Sequence, residues 1–508
     1  MTGAVDYDVL VVGGGINGAG IARDAAGRGL KVLLCEKDDL AAHTSSASTK
    51  LIHGGLRYLE YYEFALVRKA LIEREVLLRA APHIIRPLRF IMPYEHGRRP
   101  AWLIRAGLFL YDHLAKRELL PGTESIALRR HASGVPLRPE FRRAFAYSDG
   151  WVDDARLVVL NAMDAAQRGA AILTRTRCIS ARREGAHWLA ELQTADGSRQ
   201  KLRAHCVVNA AGPWAVQVLQ QVLQQPATRD LRLIKGSHIV VRRLFEHPYA
   251  YIFQHADGRI VFAIPYEAEF TLIGTTDLDY SGDLDRVGIS ADEVAYLCEL
   301  AGQYFARPIT PADVVWSYAG VRPLVEEMHA GQTGKAAALT RDYRLQLDSA
   351  GAALLNVFGG KITTYRKLAE EALDMLAPLL VNCGPAWSAS ACLPGGDLYG
   401  TGPDNRAVRE FPQFVQQLQQ RYAWLPPTLV ARYAHAYGTR IHVLLAQRQS
   451  VAEMGEMLAP GLYAAEVSYL MQHEWARTAD DVLWRRSRLG LHVPAGTAER
   501  LDAWMTRR

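Results

Sequence analysis

The sequence predicts an α/β fold in three parts: a Rossmann-like nucleotide-binding domain, an antiparallel-sheet domain inserted into it, and a C-terminal helical domain. Three observations carry this reading. The apolar run Tyr7-Asp8-Val9-Leu10-Val11-Val12 leads into G-x-G-x-x-G at Gly13, Gly15 and Gly18, followed at once by helical spacing. From about residue 230 to 280 the chain alternates in strand fashion, at His238-Ile239-Val240-Val241, Arg259 to Ile264 and Thr271-Leu272-Ile273-Gly274. After a Gly-, Pro- and Ser-rich linker near Cys383 to Arg406, the remainder reads helical.

Each element follows from local chemistry. In the opening turn Gly13 allows the tight bend, Gly15 lets the backbone approach a pyrophosphate, and Gly18 lets helix and strand pack closely. The free N–H groups of the following helix then point at the anion. Lys31-Val32-Leu33-Leu34-Cys35-Glu36 is the second strand, and Glu36 ends it where an acid binds a ribose hydroxyl. His43 to Lys50 is small and polar, a loop whose hydroxyls and backbone can line a ligand. His53-Gly54-Gly55-Leu56-Arg57-Tyr58 is a second glycine turn carrying a cation and a phenol, and Phe64 to Arg79 has the spacing of a surface helix. Arg98 to Arg117 is an apolar helix with basic ends and aromatics, suited to a membrane interface or to packing on the core. Asp153-Asp154-Ala155-Arg156-Leu157 opens another helix. Ala171 to Arg177 and His187 to Leu192 are strands, with a hairpin turn at Ala195-Asp196-Gly197. Cys206 to Trp214 is an apolar strand ending in small residues. Leu354 to Ala369 reads strand, double glycine, helix. The C-terminal helices are expected at Phe414–Tyr422, Leu429–Tyr437, Ile441–Arg448, Ala464–His473 and Ala479–Arg488.

Composition narrows the function. A chain of 508 residues exceeds one compact core and implies two or three domains. Its net charge of +6 is a mild excess, fitting an anionic small substrate or membrane surface and giving no indication of nucleic acid. The six cysteines, at 35, 178, 206, 298, 383 and 392, show no C-x-x-C spacing, so neither a zinc site nor a redox dithiol is indicated. Scattered cysteines suit a reducing compartment. No basic leader precedes the first strand, and no apolar stretch approaches the roughly 18 residues of a spanning helix.

The opening motif alone does not separate NAD from FAD, although Glu36 argues against a ribose phosphate. Three further glycine stretches, at 54–55, 212 and 359–360, all look built to approach one ligand and favour a flavin. At this point the residues resemble the FAD-dependent glycerol-3-phosphate dehydrogenases. The segments are Val11 to Gly18, Thr44 to Ser48, Lys50 to Tyr58, Trp151 to Leu157, Ile234 to Ile239, Gly320 to Leu324 and Phe358 to Arg366. The likeness runs from about residue 6 to residue 370, with no sharp motif after about 385.

The resemblance implies a discontinuous FAD-binding domain over residues 1–80, 150–215 and 340–385. It implies a substrate (cap) domain over 81–149 and 216–339, and a helical domain over 386–508. It implies FAD held by Gly13, Gly15, Ile16, Asn17, Gly18, Glu36 and Lys37, by Thr44, Ser45, Ser46, Lys50 and Leu51, and by His53, Gly54 and Gly55. Further flavin contacts are expected at Cys178, Ala210, Ala211, Gly212 and Trp214, and at Gly360, Lys361, Ile362 and Thr363. The expected substrate is sn-glycerol 3-phosphate, touched by Arg57, Tyr58, His238, Thr275, Arg322 and Lys361, with electrons passing to a membrane quinone. A homodimer bound peripherally or monotopically to the cytoplasmic face of the membrane is also implied, with no metal.

The substrate's chemistry agrees with these residues. A small dianion needs cations, and the arginine fork suits a phosphate. Arg57, Arg322 and Lys361 each follow or adjoin a glycine-containing turn. Each has a plainer alternative: a surface ion pair for Arg57, bracing of a turn for Arg322, packing for Tyr58. His238 is a candidate general base, since imidazole titrates near neutrality. Lys361 is better suited to stabilising negative charge, and Thr363 or Thr364 to capping the next helix or touching the flavin. Rival readings are an oxidase of the same substrate that forms hydrogen peroxide, a related flavoenzyme acting on amino or hydroxy acids, and a non-catalytic flavin sensor.

Overall fold

The computed structural model describes residues 5–95, 100–227, 230–254, 259–274, 277–325 and 342–508. Its first sheet is built on five parallel strands: Tyr7–Val12, Val32–Cys35, Ala171–Leu173, Arg199–Asn209 and Ala353–Phe358. Numbered along the chain, they lie side by side in the order 3-2-1-4-5, the Rossmann arrangement. Arg344–Asp348 adds an antiparallel edge. The expected Ala171–Arg177 strand is two, since the chain turns at Thr174-Arg175 and starts a new strand, Thr176–Glu184, that pairs with His187–Thr194. The turn at Ala195-Asp196-Gly197 then joins that strand to Arg199–Asn209, as expected.

Helices Ile16–Gly27, Asp154–Gln167 and Tyr365–Leu376 bury one face of this sheet, and the 176–194 hairpin, with Trp188 fully enclosed, covers the other. Asp153 caps its helix as its spacing implied, accepting the Arg156 N–H at 3.0 Å. Gly13 sits at φ +114°, where a side chain is strained, and a Cβ there would fall 2.6 Å from the Ala210 carbonyl oxygen. A Cβ on Gly18 would fall 1.9 Å from the Gly13 carbonyl oxygen, so only glycine lets this helix lie so close to its strand.

The second sheet is antiparallel apart from one parallel pairing, between Ile85–Pro93 and Ala250–Gln254. Its other long strands are Arg143–Val152, Leu231–Arg242, Ile260–Tyr266, Phe270–Gly274 and Val314–Val325. Leu51–Ile52 also joins it. Alternation sorts its side chains: Tyr251, Phe253, Val261 and Ala263 face the helix Ala291–Gly302, whereas Ile252 and Phe262 face the opposite way, towards the first sheet's ligand edge. The Ala291–Gly302 helix begins with a capping box between Ser290 and Glu293.

Two expectations are corrected here. The helix Phe64–Ala80 does not lie on the surface: Glu73, Arg74 and Glu75 are buried, Glu73 paired with Arg366 and Arg74 with Asp149. Mixed charge there marks internal ion pairs. The C-terminal region is helical at Phe411–Arg421, Pro427–Tyr437, Ile441–Leu445, Ala464–His473 and Thr497–Thr506, but it also holds a small hairpin, Met457–Ala459 with Leu462–Tyr463. The expected last helix is a wide π-type turn at Asp481–Arg486. All six cysteines are unpaired.

Candidate active site

Two cavities meet at Thr44 and Ser45. The larger, of about 600 Å³, lies over the C-terminal ends of the parallel strands. That is where an open α/β sheet binds its ligand. Gly13, Gly15, Glu36, Lys37, Thr44, Ser45, Cys178, Ala210, Ala211, Gly212 and Trp214 all line it. The Gly15 N-cap has no side chain capping it, and the Ile16 N–H donates to Ser45 Oγ at 3.0 Å. Glu36 accepts the Gly14 N–H at 2.6 Å and the Asp38 N–H at 2.9 Å, and burial raises its carboxyl pKa against those bonds. This long cradle, with its glycine floor, helix N-terminus and carboxylate at the end of the second strand, fits a dinucleotide.

The smaller cavity, of about 250 Å³, lies between the two sheets. Ile16, Leu51, His53, Gly55, Arg57, Tyr58, Arg322, Gly360, Lys361, Ile362 and Thr363 line it with Thr44 and Ser45. Ile252, Ile260, Phe262 and Tyr147 form its apolar wall. Lys361 Nζ stands 3.6 Å from the centre of the Tyr58 ring, a cation–π contact. Arg57 reaches the Tyr61 hydroxyl at 3.3 Å and, among the described residues, has no carboxylate within ion-pair distance. Arg322 Nη1 donates to Asp277 Oδ1 at 2.5 Å. It does not brace a turn: Gly320 to Pro323 is continuous edge strand, paired with Leu233 to Gly236, and the edge is where a sheet tolerates proline.

Other expected contacts are not at either cavity wall. Gly18 is spent on helix packing. Asn17 turns away and donates to the Gly359 carbonyl at 3.1 Å. The Gly54 N–H faces the Tyr111 hydroxyl at 2.9 Å. Lys50 is an internal cation whose Nζ bonds both Asp154 oxygens, at 2.9 and 3.0 Å, and the Ser46 carbonyl. Ser46 and Lys50 border a third cavity, of about 350 Å³, behind the loop. Thr275 lies outside the described residues. Thr363 Oγ1 accepts the His53 N–H at 3.2 Å, and Thr364 makes no capping bond, so neither caps the following helix.

His238 is also withdrawn by one layer. Its ring is buried and stacks on Tyr318, with centroids 4.7 Å apart, and its Nε2 lies 3.0 Å from Thr49 Oγ1. It is Thr49 that borders the cavity. Burial, with the charges of Arg322 and Lys50, holds the His238 pKa well below its ordinary value, so the ring is neutral. Thr49, Asp277 and the wall from Tyr147 to Phe262 carry no glycine signature, and their place became visible only once the sheets were assembled.

The comparisons with known proteins agree with this geometry. Residues 8–366 match the family described as FAD dependent oxidoreductase, and residues 388–505 match the C-terminal domain of alpha-glycerophosphate oxidase. The glycerol-3-phosphate dehydrogenase of Pseudomonas aeruginosa is 54% identical over 98% of this chain and 95% of its own length. The chain belongs to the FAD-dependent glycerol-3-phosphate dehydrogenase family. The aerobic glycerol-3-phosphate dehydrogenase of Escherichia coli is 49% identical, and the D-erythritol 1-phosphate dehydrogenase of Brucella abortus 48%, each over 98% of this chain and 97% of the relative. Among solved structures, the family member from Bacillus halodurans, complexed with FAD, superposes with a TM-score of 0.77. It is 27% identical, over 99% of this chain and 90% of that one. FAD is therefore this family member's cofactor, and the larger cavity has the shape and donors to hold it.

Proposed function

We propose that this enzyme oxidises sn-glycerol 3-phosphate to dihydroxyacetone phosphate and passes the electrons to a membrane quinone. The observation that carries the substrate is the placing of Arg57, Arg322 and Lys361 around one small cavity that opens beside the dinucleotide cradle. Bound FAD supplies the two-electron acceptor. The protein's own part is binding and orientation. Arg57 and Arg322 offer planar forks to the phosphate. Lys361, held over Tyr58, places positive charge near the reacting oxygen. Thr49 Oγ1, held by the neutral Nε2 of His238 3.0 Å away, accepts a hydrogen bond from the substrate alcohol and so orients it. The apolar wall excludes water.

A membrane acceptor is supported by the helix Ala101–His113. One side of it, with Leu108 and Tyr111, packs on the core, while Trp102, Leu103, Phe109 and Leu110 are exposed. Trp102 is 71% and Phe109 64% exposed. Arg105, on the same helix, is exposed too. Such a face lies in an anionic membrane surface. Among the described residues no helix is long and apolar enough to cross a membrane.

Anaerobic addition of sn-glycerol 3-phosphate to the flavin-loaded protein tests the reading. Loss of the visible flavin band, restored by a soluble quinone faster than by air, is expected. Bleaching by D-erythritol phosphate alone would move the substrate to a longer polyol phosphate. Rapid reoxidation by air with peroxide release would establish the oxidase instead.

A further inference from the structure

The loop Thr44 to Leu51 runs between the two cavities, and its back is held by the C-terminal domain. Asp154, fully buried, accepts from Ser48 Oγ at 2.7 Å and from Lys50 Nζ. Ser48 Oγ accepts the Lys50 N–H at 2.9 Å, and the Tyr318 hydroxyl donates to the Ser48 carbonyl at 2.8 Å. Behind Asp154 stands Arg488. Its Nε and Nη2 donate to the two Asp153 oxygens, both at 2.6 Å, its Nη2 also to Asp154 Oδ1 at 2.7 Å, and its Nη1 to the Tyr266 hydroxyl at 3.1 Å.

Charge and backbone both mark this cluster. Two carboxylates, Asp153 and Asp154, face two cations, Lys50 and Arg488, all buried. Removing one member leaves an uncompensated charge in a poorly solvating place. Lys50 and Arg488 are also both left-handed, at φ +60° and +56°, although neither is glycine. Such strain persists only where surroundings over-determine it, and it clusters at functional positions.

We propose that Arg488 is a positioning residue: through Asp154 it sets the loop at Ser48 to Lys50 and thereby the loop's fit against the flavin. The C-terminal domain then serves the cofactor site directly, in addition to covering the first domain. The inference rests on the reading that this loop borders the flavin.

The test uses the full-length holoenzyme and reads the rate of FAD release by flavin fluorescence, the visible flavin spectrum, and Tm. The variants are R488K, which keeps the charge but loses the fork, S48A, and the two combined. FAD release is expected to quicken about tenfold in each single variant, the scale of one charge-assisted hydrogen bond. The double variant should be no faster than either alone, because both cut the same linkage. E474Q is the control, since it weakens another buried contact of the same domain, Glu474 with Arg156, that does not touch the loop. It should lower Tm and leave FAD release unchanged. Should R488K fail to fold, Tyr266→Phe removes one Arg488 partner, keeps every ion pair, and should shift the flavin spectrum the same way. The proposal is overturned if R488K lowers Tm alone, or if its effect simply adds to that of S48A. If S48A leaves both flavin readouts unchanged, the loop does not border the flavin and the inference falls with that premise.

Discussion

Arg322 shows how one residue's role depends on its partner. Asp277 holds the guanidinium in place at the cavity wall. Arg322→Ala removes a planar cation from the cavity wall and takes one cationic partner from the mostly buried Asp277 carboxylate. We expect kcat/KM for sn-glycerol 3-phosphate to fall by about 100-fold, the effect of roughly 3 kcal/mol, which lies within the range for cutting a buried charge pair. Flavin content should remain normal, because Arg322 lies outside the dinucleotide cradle. Steady-state kinetics on variant protein matched for flavin absorbance checks this, and an unchanged kcat/KM would remove Arg322 from the substrate site. Lys50 teaches the opposite lesson. The resemblance gives it to the flavin, yet its ammonium is turned inward onto Asp154 and the Ser46 carbonyl.

At the scale of elements, the helix Ala101–His113 has two faces that composition alone cannot rank. Leu108 is 2% exposed, so placing a charge there tests folding and not membrane docking. Trp102→Glu and Phe109→Glu test docking, because both side chains face solvent. Together they are expected to cut binding to anionic vesicles at least tenfold, read by sedimentation, with Tm unchanged; equal binding would exclude this face as the contact. The parallel strands, the glycine turn and its helix were legible in the sequence because their signals are local: apolar runs, glycines at fixed offsets, an acid one strand later. The buried helix Phe64–Ala80 was not, because Glu73 and Arg74 look like solvent-facing charges until Arg366 and Asp149 are brought to them.

Across the whole molecule, the C-terminal domain is fastened to the first by buried ion pairs. Arg486 grips Asp39 with two bonds, at 2.8 and 2.9 Å, Arg485 adds a third at 2.7 Å, and Arg175 holds Asp481. Burial opposes ionisation of Asp481, but the Arg477 N–H and the cations Arg175, Arg486 and Arg485 outweigh it and hold its pKa at about 2. A carboxyl depressed in the folded state stabilises the fold above its unfolded pKa, near 3.8, and loses that contribution as pH falls through 2. The contribution is about 2 kcal/mol. Asp481→Asn should therefore lower Tm by several degrees at pH 7, with the difference from the unaltered protein shrinking between about pH 4 and pH 2. Calorimetry over that range checks it, and a Tm difference independent of pH would assign the loss to packing.

By itself the sequence determined the fold class and the glycine turn that opens the first sheet, because each is written in residues adjacent along the chain. Tertiary structure alone decided that His238 stands behind Thr49, that Asp277 holds Arg322, and that Arg488 reaches Asp154, which in turn holds the loop at Lys50, from more than three hundred residues away. These depend on which buried charges meet. A buried charge must find a partner wherever the fold supplies one, and its position in sequence does not say where that is.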